Sequence, residues 1–534
     1  MVGNSGFVPS RRALLRMIGL SAGSAAMYQA MTSLGFAQGS SYSGPLKLSG
    51  VPSGASVLIL GAGLAGMTAA YELRNAGYKV KVLEYNARPG GRCWTLRGGD
   101  HYTELGGAKQ SCEFDKGLYI NPGPWRIPFH HQNVLHYCRQ FGVALESFVE
   151  VNSNAWLHSA TAFDGKPQRY GRYRADFHGM VAELLAKSVN QNELDKALSA
   201  EDREKLLESL QSWGFLDGDY RYTRGEASSA NRGFDKDPGG GLGGKPIPST
   251  PIASRDVLRS GLWQNLFVDE LYEFQTTLFQ PVGGMDNIAS AFARELPGVI
   301  EYNGKVTGIE QDERGVTARY VDANSAGETR EARADWCLCT IPLSILSQIP
   351  MNVGSAMSAA ISAVPYASSV KIGLQFKRRF WEEDEQIYGG ISHTDLPIFQ
   401  ISYPSSNFQA RGPGVLLGAY NWGPDAMQFT AMSTEQRIRE AVRFGAMIHP
   451  QYPQEFQNGM SVAWHRVPSA MGCFGEWSES SRNAHYENLC QIDGRIVLAG
   501  EHASYLPAWQ EGAISSALDA IGRLHQRAVA GGAA

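Results

Sequence analysis

SVLILGAGLAGMTAAYELRNAGYKVKVLE, residues 56–84, is the stretch that decides the fold. Its first five residues are apolar and mostly branched, as is typical of a buried parallel strand, and the turn GAGLAG leads into a helical pattern that extends to about Ala76. Gly77 is placed to end this helix, and residues 79–83 predict a second strand. The stretch therefore predicts the first strand–helix–strand unit of an α/β domain.

The glycines of this turn have separate roles in a dinucleotide site. Gly61 permits the tight turn, Gly63 lets a pyrophosphate approach the backbone, and Gly66 lets the helix pack closely on the strand. Ala65 lies in the same turn, where the helix N-terminus offers free N–H groups to the phosphates. Glu84 stands where a carboxylate accepts both ribose hydroxyls and disfavours a 2′-phosphate. These residues predict a Rossmann-like dinucleotide site.

Length and composition limit the class of protein. A chain of 534 residues is longer than one core usually serves, so we expect about two or three domains. The formal net charge of -4 gives no field that attracts a polyanion, and nucleic acid is therefore not an expected partner. The seven cysteines are an odd set without paired metal-ligand spacing, so no metal site is predicted.

The first 37 residues resemble a targeting segment. The pair Arg11-Arg12 precedes an uncharged stretch of small and apolar residues at 17–37, which resembles a twin-arginine export signal. This predicts a periplasmic or secreted protein that is exported after it has folded around a cofactor. The stretch is only moderately apolar, so we expect no integral membrane segment. A disordered basic tail is the alternative.

Other runs resemble the flavin amine oxidases and amino-acid oxidases. The run NARPGGR, which ends at Arg92, contains the G-G-R that follows the ribose acid in that family. The resemblance implies that Gly91 passes under the FAD pyrophosphate and that Arg92 neutralises it. A buried strand that ends in Gly500-Glu501 resembles the last return to the FAD-binding domain, and it implies that Glu501 binds the ribitol hydroxyls. The backbone of Val306 is implied to contact the adenine.

Two further runs bear on the substrate class that the resemblance implies. GPWRIP resembles the amino-acid oxidase segment whose arginine holds the substrate carboxylate, which here is Arg126, and it also places Trp125 and Arg126 beside the cofactor. ISYPSSNF resembles the segment that supplies a tyrosine, which implies Tyr403. A guanidinium holds a carboxylate bidentately while a tyrosine hydroxyl donates a third bond. Lys109 is a weaker rival for the arginine's role because a lysine cannot form the planar fork.

The remaining candidate residues lie near the carboxyl end of the chain. WHRVPSAMGCF, which ends at Phe474, resembles one wall of the family's aromatic cage, and Trp509 matches the other wall. The helix that begins at this tryptophan would direct its positive end at the flavin and stabilise the anionic reduced form. Ala508, Gln510 and Ala513 complete the implied site.

Two positions set expectations about the flavin itself. Cys473 stands where mammalian-type monoamine oxidases carry a cysteine bound to the flavin, but amino-acid oxidases that resemble the rest of this chain hold FAD noncovalently, which is what we expect here. Many relatives also place a lysine beside the flavin N5 through a water molecule. Counting back from Lys371 puts Met357 at that position, so we expect other groups to hold the water or oxygen reactivity to be lower.

The implied cofactor residues lie near both ends of the chain, so the FAD-binding domain must be discontinuous. We predict an α/β fold with a discontinuous Rossmann-like FAD-binding domain, an inserted α+β substrate domain and a helical subdomain. The expected order is a signal at 1–37, a linker at 38–50, FAD-binding segments at 51–110, 281–350 and 470–534, substrate-domain segments at 111–165 and 351–469, and the helical subdomain with its loop at 166–280.

The patterns and the resemblance together imply an FAD-dependent L-amino-acid oxidase. The α-carbon of an L-amino acid would give a hydride to the flavin, the imino acid would hydrolyse to a 2-oxo acid and ammonia, and molecular oxygen would reoxidise the flavin to give hydrogen peroxide. The aromatic walls favour large apolar or aromatic side chains, and no side chain is an obvious general base. We also expect a homo-oligomer.

Three alternatives stay open from the sequence. The first is an amine oxidase that acts on substrates without a carboxylate, and the second is an amino-acid 2-monooxygenase that gives an amide. The third belongs to another class, a flavin-binding protein that does not turn over.

Overall fold

The structure, a computed structural model, describes residues 46–191, 199–324 and 327–531. The predicted export signal at 1–37 and most of the predicted linker at 38–50 lie outside the described residues. Within those three ranges, no helix is both long enough and apolar enough to cross a membrane.

The first part of the chain forms short strands around two helices. The elements are β1 (Ser56–Leu60), α1 (Leu64–Ala76), β2 (Lys79–Leu83), β3 (Leu96–Arg97), β4 (His101–Thr103), β5 (Lys109–Ser111), β6 (Tyr119–Ile120), β7 (Ile127–Pro128), α2 (Gln132–Gln140), β8 (Leu145–Phe148), β9 (Trp156–His158) and β10 (Gln168–Arg169). The next part is largely helical and contains α3 (Tyr170–Asn190), α4 (Ala200–Gly214), α5 (Glu226–Arg232), β11 (Phe234–Lys236), β12 (Ile247–Pro248), α6 (Ser254–Ser260), β13 (Leu278–Pro281), α7 (Asp286–Arg294) and β14 (Ile300–Glu301).

The second half of the chain supplies the long strands. In order it forms β15 (Gly304–Asp312), β16 (Gly315–Asp322), β17 (Arg330–Ala334), β18 (Trp336–Cys339), α8 (Leu343–Leu346), α9 (Ser355–Ser362), β19 (Ser369–Phe376), α10 (Phe380–Glu383), β20 (Ile391–Thr394), β21 (Gln400–Ser402), β22 (Gly414–Trp422), α11 (Gly423–Ala431), α12 (Thr434–Gly445), α13 (Tyr452–Glu455), β23 (Phe456–Ala463), α14 (Glu479–Cys490), β24 (Ile496–Leu498) and α15 (Gln510–Gly531).

A five-stranded parallel sheet in the order β14-β2-β1-β18-β24 forms the centre of the first domain. Its strands come from positions near both ends of the chain, which makes this domain discontinuous. One face of the sheet packs against α1, α7 and α15, and the other against the β15–β17 meander and α9. Both faces are covered, so the branched residues of β1 are buried on both sides.

The glycine turn between β1 and α1 has the predicted geometry. Gly61 has φ +103°, and a Cβ at Gly66 would lie 1.9 Å from the Gly61 carbonyl oxygen, so no side chain fits at Gly66. Gly77 ends α1 in the left-handed conformation, and its N–H donates to the carbonyl of Arg74. The prediction of strand, turn, helix and strand from residues 56–84 is confirmed.

A seven-stranded sheet in the order β10-β9-β20-β21-β22-β19-β23 forms the inserted domain. The sequence predicts an alternating strand over 370–380, but β19 ends at Phe376 and all eight of its residues are buried. The reason is that β19 lies between β22 and β23 with both of its faces covered. Lys371, which is part of β19, is therefore carried into the interior of the protein.

Helices α3 to α6 form the helical subdomain. The side chain of Ser199 accepts a hydrogen bond from the N–H of Asp202 and caps α4. The glycine-rich run 239–244 is a loop between β11 and β12, as expected from the lack of a strand leading into it. The α/β fold with a discontinuous Rossmann-like domain, an inserted α+β domain and a helical subdomain is confirmed, while the segment boundaries proposed from the sequence stay a prediction.

Candidate active site

A cavity of about 840 Å³ lies where the parallel sheet meets the seven-stranded sheet. Gly63, Thr340 and Gly500 line it, and they lie within three residues of the carboxyl ends of the parallel strands β1, β18 and β24. His393 and Tyr420 line it from β20 and β22 of the other sheet. Ligands of open α/β sheets bind at the carboxyl ends of the strands, so this cavity is the candidate site.

Twelve of the residues proposed from the sequence line this cavity. They are Gly63, Ala65, Arg92, Trp125, Arg126, Phe474, Gly500, Glu501, Ala508, Trp509, Gln510 and Ala513. Arg92 and Glu501 form an ion pair, with Nη1 of the arginine 2.7 Å from Oε1 of the glutamate. The two ends of the chain therefore contribute one continuous wall.

Several of the other proposed residues lie beside the glycine turn rather than in the cavity lining. Glu84 accepts hydrogen bonds from the N–H of Ala62 at 2.7 Å and of Asn86 at 2.8 Å, which fixes its carboxylate at the end of β2. Gly61 and Gly66 form the turn itself, and a Cβ at Gly91 would lie 3.5 Å from Cα of Gly63. Val306 lies on β15, which begins at Gly304, whose N–H donates to the Glu84 carbonyl.

Arg126 lies in the wall of the cavity between an acid and two aromatic rings. Its Nη1 donates to Oε2 of Glu150 at 2.9 Å, and its guanidinium carbon is 4.4 Å from the ring centre of Phe274 and 5.1 Å from that of Trp125. Its Nε is buried and has no hydrogen-bond partner among the residues that the structure describes. The side chain as a whole is 12% exposed and lines the cavity, so the guanidinium can meet a ligand there.

The structure corrects the prediction for Tyr403. The tyrosine is only 1% exposed and does not line the cavity; its hydroxyl is hydrogen bonded to Ser392 and to Nε2 of His449, both at 2.7 Å. The tyrosine at the cavity is Tyr420 on β22. A sequence signal existed, because Tyr420 and Trp422 are two positions apart on one strand and both line the cavity, as residues on the same face do.

Lys371 bears on the expectation about the water beside the flavin. Its amine donates to the carbonyl of Gly123 at 2.5 Å and lies 4.7 Å and 4.2 Å from the ring centres of Trp125 and Tyr420, both of which line the cavity. Met357 instead belongs to the hydrophobic core behind the parallel sheet. Burial, with Arg126 nearby, holds the pKa of Lys371 well below its ordinary value. A lysine inside an apolar strand was the signal that sequence analysis did not use.

Aromatic rings form part of the remaining wall. Phe474 lies 5.7 Å from Trp422, and Trp509 lies 5.9 Å from Phe274, measured between ring centres. Phe474 and Trp509, the two proposed from the sequence, thus line the same cavity with two further rings. His393 lies in this wall as a neutral imidazole, because burial and Arg126 lower its pKa to about 4.

The sequence as a whole matches known proteins along most of its length. A sequence model of the family described as flavin containing amine oxidoreductase matches residues 64–524. The chain belongs to this family. It is therefore an oxidoreductase whose family uses a flavin.

Two curated members of the family illustrate the similarity. An L-amino-acid oxidase of Bothrops pauloensis is 30% identical over 479 residues, which cover 87% of this chain and 88% of that protein. An L-amino-acid oxidase of Siganus canaliculatus is 27% identical over 482 residues, which cover 88% of this chain and 85% of that protein.

Solved structures share the fold at lower identity. Wild-type putrescine oxidase bound to putrescine has a TM-score of 0.56 at 16% identity, with 89% of this chain and 98% of that chain covered. Cyclohexylamine oxidase from Brevibacterium oxydans IH-35A has a TM-score of 0.57 at 16% identity, with 89% and 99% covered. These likenesses support the fold of this oxidoreductase.

The residues of the oxidoreductase fit a flavin dinucleotide. A Cβ at Gly63 would meet no atom within 4 Å, so the backbone there is open to the cavity. The same glycine is the N-cap of α1 and offers no side-chain cap, which leaves the first N–H groups of the helix for phosphates. Gln510 begins α15 and also lines the cavity. Two helix N-termini thus face a cavity that crosses the strand ends.

Cys473 lines the cavity next to Phe474. Burial raises the pKa of its thiol to about 11, although Lys371 and Arg92 oppose this shift. The thiol is therefore protonated at neutral pH, and a protonated thiol is a poor nucleophile.

The described residues of the oxidoreductase also contain one buried group that could hold a metal ion. Nε2 of His130 and Nε2 of His131 lie 3.2 Å and 2.9 Å from Oε2 of Glu273. Burial opposes ionisation of Glu273, but these hydrogen bonds lower its pKa to about 2. The sequence predicts no metal, and that prediction stays untested.

Proposed function

We propose that this flavin oxidoreductase uses FAD to oxidise L-amino acids to 2-oxo acids, with ammonia and hydrogen peroxide as the other products. The observation that carries the proposal is Arg126, because its Nε is a buried donor without a partner among the described residues, in the wall of the cavity. Buried donors are normally satisfied, so a guanidinium in a cavity wall that is paired on one side only points to an anionic ligand. The carboxylate of an amino acid is such a ligand.

The side chains beside Arg126 suit the positioning of that carboxylate. Burial keeps the pKa of Tyr420 well above its ordinary value, so its hydroxyl is protonated and can donate a hydrogen bond. Phe474 and Trp509 then enclose the α-carbon, as aromatic walls exclude water and limit its orientation. Relatives that match most of this chain are named L-amino-acid oxidases, which supports the same substrate class.

FAD bound in the cavity would supply the hydride acceptor. We propose that Gly63, Glu84, Arg92 and Glu501 hold it without a covalent bond, because the protonated thiol of Cys473 does not favour attack on a flavin. Lys371, rather than a group at Met357, would hold the water beside the flavin that many relatives bind through a lysine. Reactivity with molecular oxygen is therefore part of the proposal.

Other parts of the proposal extend the expectations from the sequence. The rings of Phe274, Trp422, Phe474 and Trp509 support a preference for large apolar or aromatic side chains. We retain export through the twin-arginine-like segment at 1–37 and a homo-oligomeric state as proposals.

Anaerobic mixing of the purified yellow protein with a panel of L-amino acids tests the function. Bleaching of the flavin by L-isomers, with no bleaching by D-isomers or by the corresponding decarboxylated amines, is the expected result. Bleaching only by amines would favour the amine oxidase, and no bleaching by any of these compounds would favour a flavin-binding protein without turnover. After oxygen is admitted, a 2-oxo acid with hydrogen peroxide distinguishes the oxidase from a monooxygenase, which gives an amide.

A further inference from the structure

Glu150 is an acid in the cavity wall that the sequence analysis did not single out. It follows β8, is 8% exposed and lines the cavity. Its Oε2 accepts the hydrogen bond from Nη1 of Arg126 at 2.9 Å. The guanidinium is therefore already paired with one carboxylate before any substrate binds, and the pair has no net charge.

A substrate carboxylate on Arg126 creates a charge conflict with Glu150. Two carboxylates would then share one guanidinium in a buried site, and like charges so close do not both stay ionised. Burial already raises the pKa of Glu150, with Arg126 opposing the shift and Asp269 adding to it. One proton is therefore needed at this site when an amino acid binds.

The other titratable groups that the structure describes near Glu150 do not form an ion pair with it. His393 is neutral, since its pKa is lowered to about 4. Lys371 has a pKa held well below its ordinary value by burial, and Tyr420 keeps its proton. Asp269 is an acid and worsens the conflict. Arg174 lies 3.8 Å from Asp269, so among the described residues Arg126 is the cation that is hydrogen bonded to Glu150 itself.

We propose that Glu150 takes the proton from the α-ammonium group of the substrate, so that the amine is neutral when the α-carbon gives up its hydride. The inference rests on the proposed oxidation of L-amino acids and adds the proton acceptor that the reaction requires. An N–H bond of the ammonium breaks and an O–H bond forms on Glu150. The substrate carboxylate stays ionised and paired with the guanidinium of Arg126. Nothing is oxidised or reduced in this step. The proton leaves Glu150 after the product has departed.

The arrangement explains why the ammonium is the proton donor. The ammonium is attached to the carbon that bears the carboxylate, so binding of the carboxylate to the free edge of Arg126 brings the ammonium to the side of the cavity where Glu150 holds Nη1. The substrate therefore brings both the carboxylate that conflicts with Glu150 and the ammonium proton that removes the conflict. A neutral amine is required because its lone pair assists departure of the hydride.

The first test is the pH dependence of anaerobic flavin reduction in wild-type protein and in Glu150→Gln. The amide keeps the size of the side chain and an acceptor for Arg126, but it cannot take a proton. We expect the variant's reduction rate per bound substrate to rise about tenfold per pH unit up to the pKa of the free amine, and to approach the wild-type rate above it. The wild-type rate should level off at a lower pH. Glu150→Asp should keep the wild-type profile.

The outcomes of this test separate the alternatives. A uniform loss of rate in Glu150→Gln with an unchanged pH profile would show a structural role and overturn the proposal. Lys371→Met is measured in parallel as a control. An alkaline shift of the pH profile of flavin reduction in that variant alone would assign the proton to Lys371 instead. If no L-amino acid bleaches the wild-type flavin at any pH, the proposed function fails. If bleaching is normal and the pH profiles of wild type and Glu150→Gln are identical, only the role of Glu150 is contradicted.

A second measurement uses the wild-type holoenzyme and needs no variant to fold. Benzoate carries a carboxylate but no ammonium, so its binding must take up a proton from solvent. We expect its dissociation constant to rise about tenfold per pH unit above the pKa of Glu150, and to be independent of pH in Glu150→Gln. A dissociation constant that is independent of pH in the wild-type protein would overturn the proposal.

Discussion

The guanidinium of Arg92 lies 2.7 Å from the carboxylate of Glu501, although the two residues are 409 positions apart in the chain. Arg92 also donates to the carbonyl of Cys473 at 2.9 Å. The loop after β2 and the turn after β24 are thereby joined at the cavity. The two ends of the discontinuous domain must therefore assemble before the cofactor site is complete.

Substitutions at two glycines of the first turn should have different effects. Gly63 has φ -71° and open space at the Cβ position, so Gly63→Val should fold but place a side chain where the pyrophosphate binds. We expect normal far-UV circular dichroism with little bound flavin. Gly66→Ala should instead lose about 1–3 kcal/mol or more of stability, because its Cβ would overlap the Gly61 carbonyl. Full flavin content in Gly63→Val would contradict the assignment of the site.

Removal of two tyrosine hydroxyls should separate binding from stability. Tyr420→Phe removes a donor to the substrate carboxylate, and a hydrogen bond to a charged group contributes about 1.5–3 kcal/mol, so KM should rise about 10- to 150-fold. Tyr403→Phe should leave KM unchanged but lower the free energy of unfolding by about 1–3 kcal/mol, because Nε2 of His449 loses its partner. Steady-state kinetics and urea unfolding of both variants check this, and the reverse pattern would restore Tyr403 as the substrate residue.

The difference between these tyrosines shows which features sequence can predict. The β1–α1–β2 unit is specified by local periodicity and by glycines, so residues 56–84 predict it directly. Tyr403 and Tyr420 both lie near strands of one sheet, and the choice between them depends on the order β20-β21-β22-β19 and on register. A short motif does not contain these long-range pairings, so the resemblance selects Tyr403, whereas the structure places Tyr420 at the cavity.

The burial of Lys371 has the same origin. Its surroundings come from β22, β23 and the segment at Gly123, which are distant in sequence. Counting within one segment puts Met357 at the position of the family lysine, but Met357 packs in the core, and the fold places the amine of Lys371 against the cavity residues Trp125 and Tyr420. Arg126 was predicted correctly as a cavity residue because its motif is short and contiguous.

Lys371 should make stability depend on pH. Its folded pKa is well below the unfolded value of about 10.4, so between these two values the unfolded chain binds more protons. The free energy of unfolding then rises with pH across this interval. Lys371→Met removes the effect, so the variant should be more stable than wild type at neutral pH, and the advantage should shrink as the pH approaches about 10. Urea unfolding at several pH values measures this, and a constant difference between the proteins would contradict it.

Cys473 should not be attached to the flavin. Precipitation of the holoprotein with acid should leave a colourless pellet and a yellow supernatant, because the protonated thiol does not attack the cofactor. Cys473→Ala should behave in the same way and retain its flavin. Flavin fluorescence that stays with the wild-type pellet but disappears from the Cys473→Ala pellet would show a covalent bond.

The central claim is that Arg126 binds the carboxylate of an L-amino acid, and anaerobic flavin reduction in wild type and Arg126→Ala tests it most directly. Each protein is mixed with an L-amino acid and, separately, with the amine that lacks only the carboxylate. Loss of a charge-assisted pair of about 2–4 kcal/mol predicts that the reduction efficiency for the amino acid falls about 30- to 1,000-fold, while that for the amine does not fall. An equal change for both compounds, or an unchanged efficiency for the amino acid, would contradict the claim.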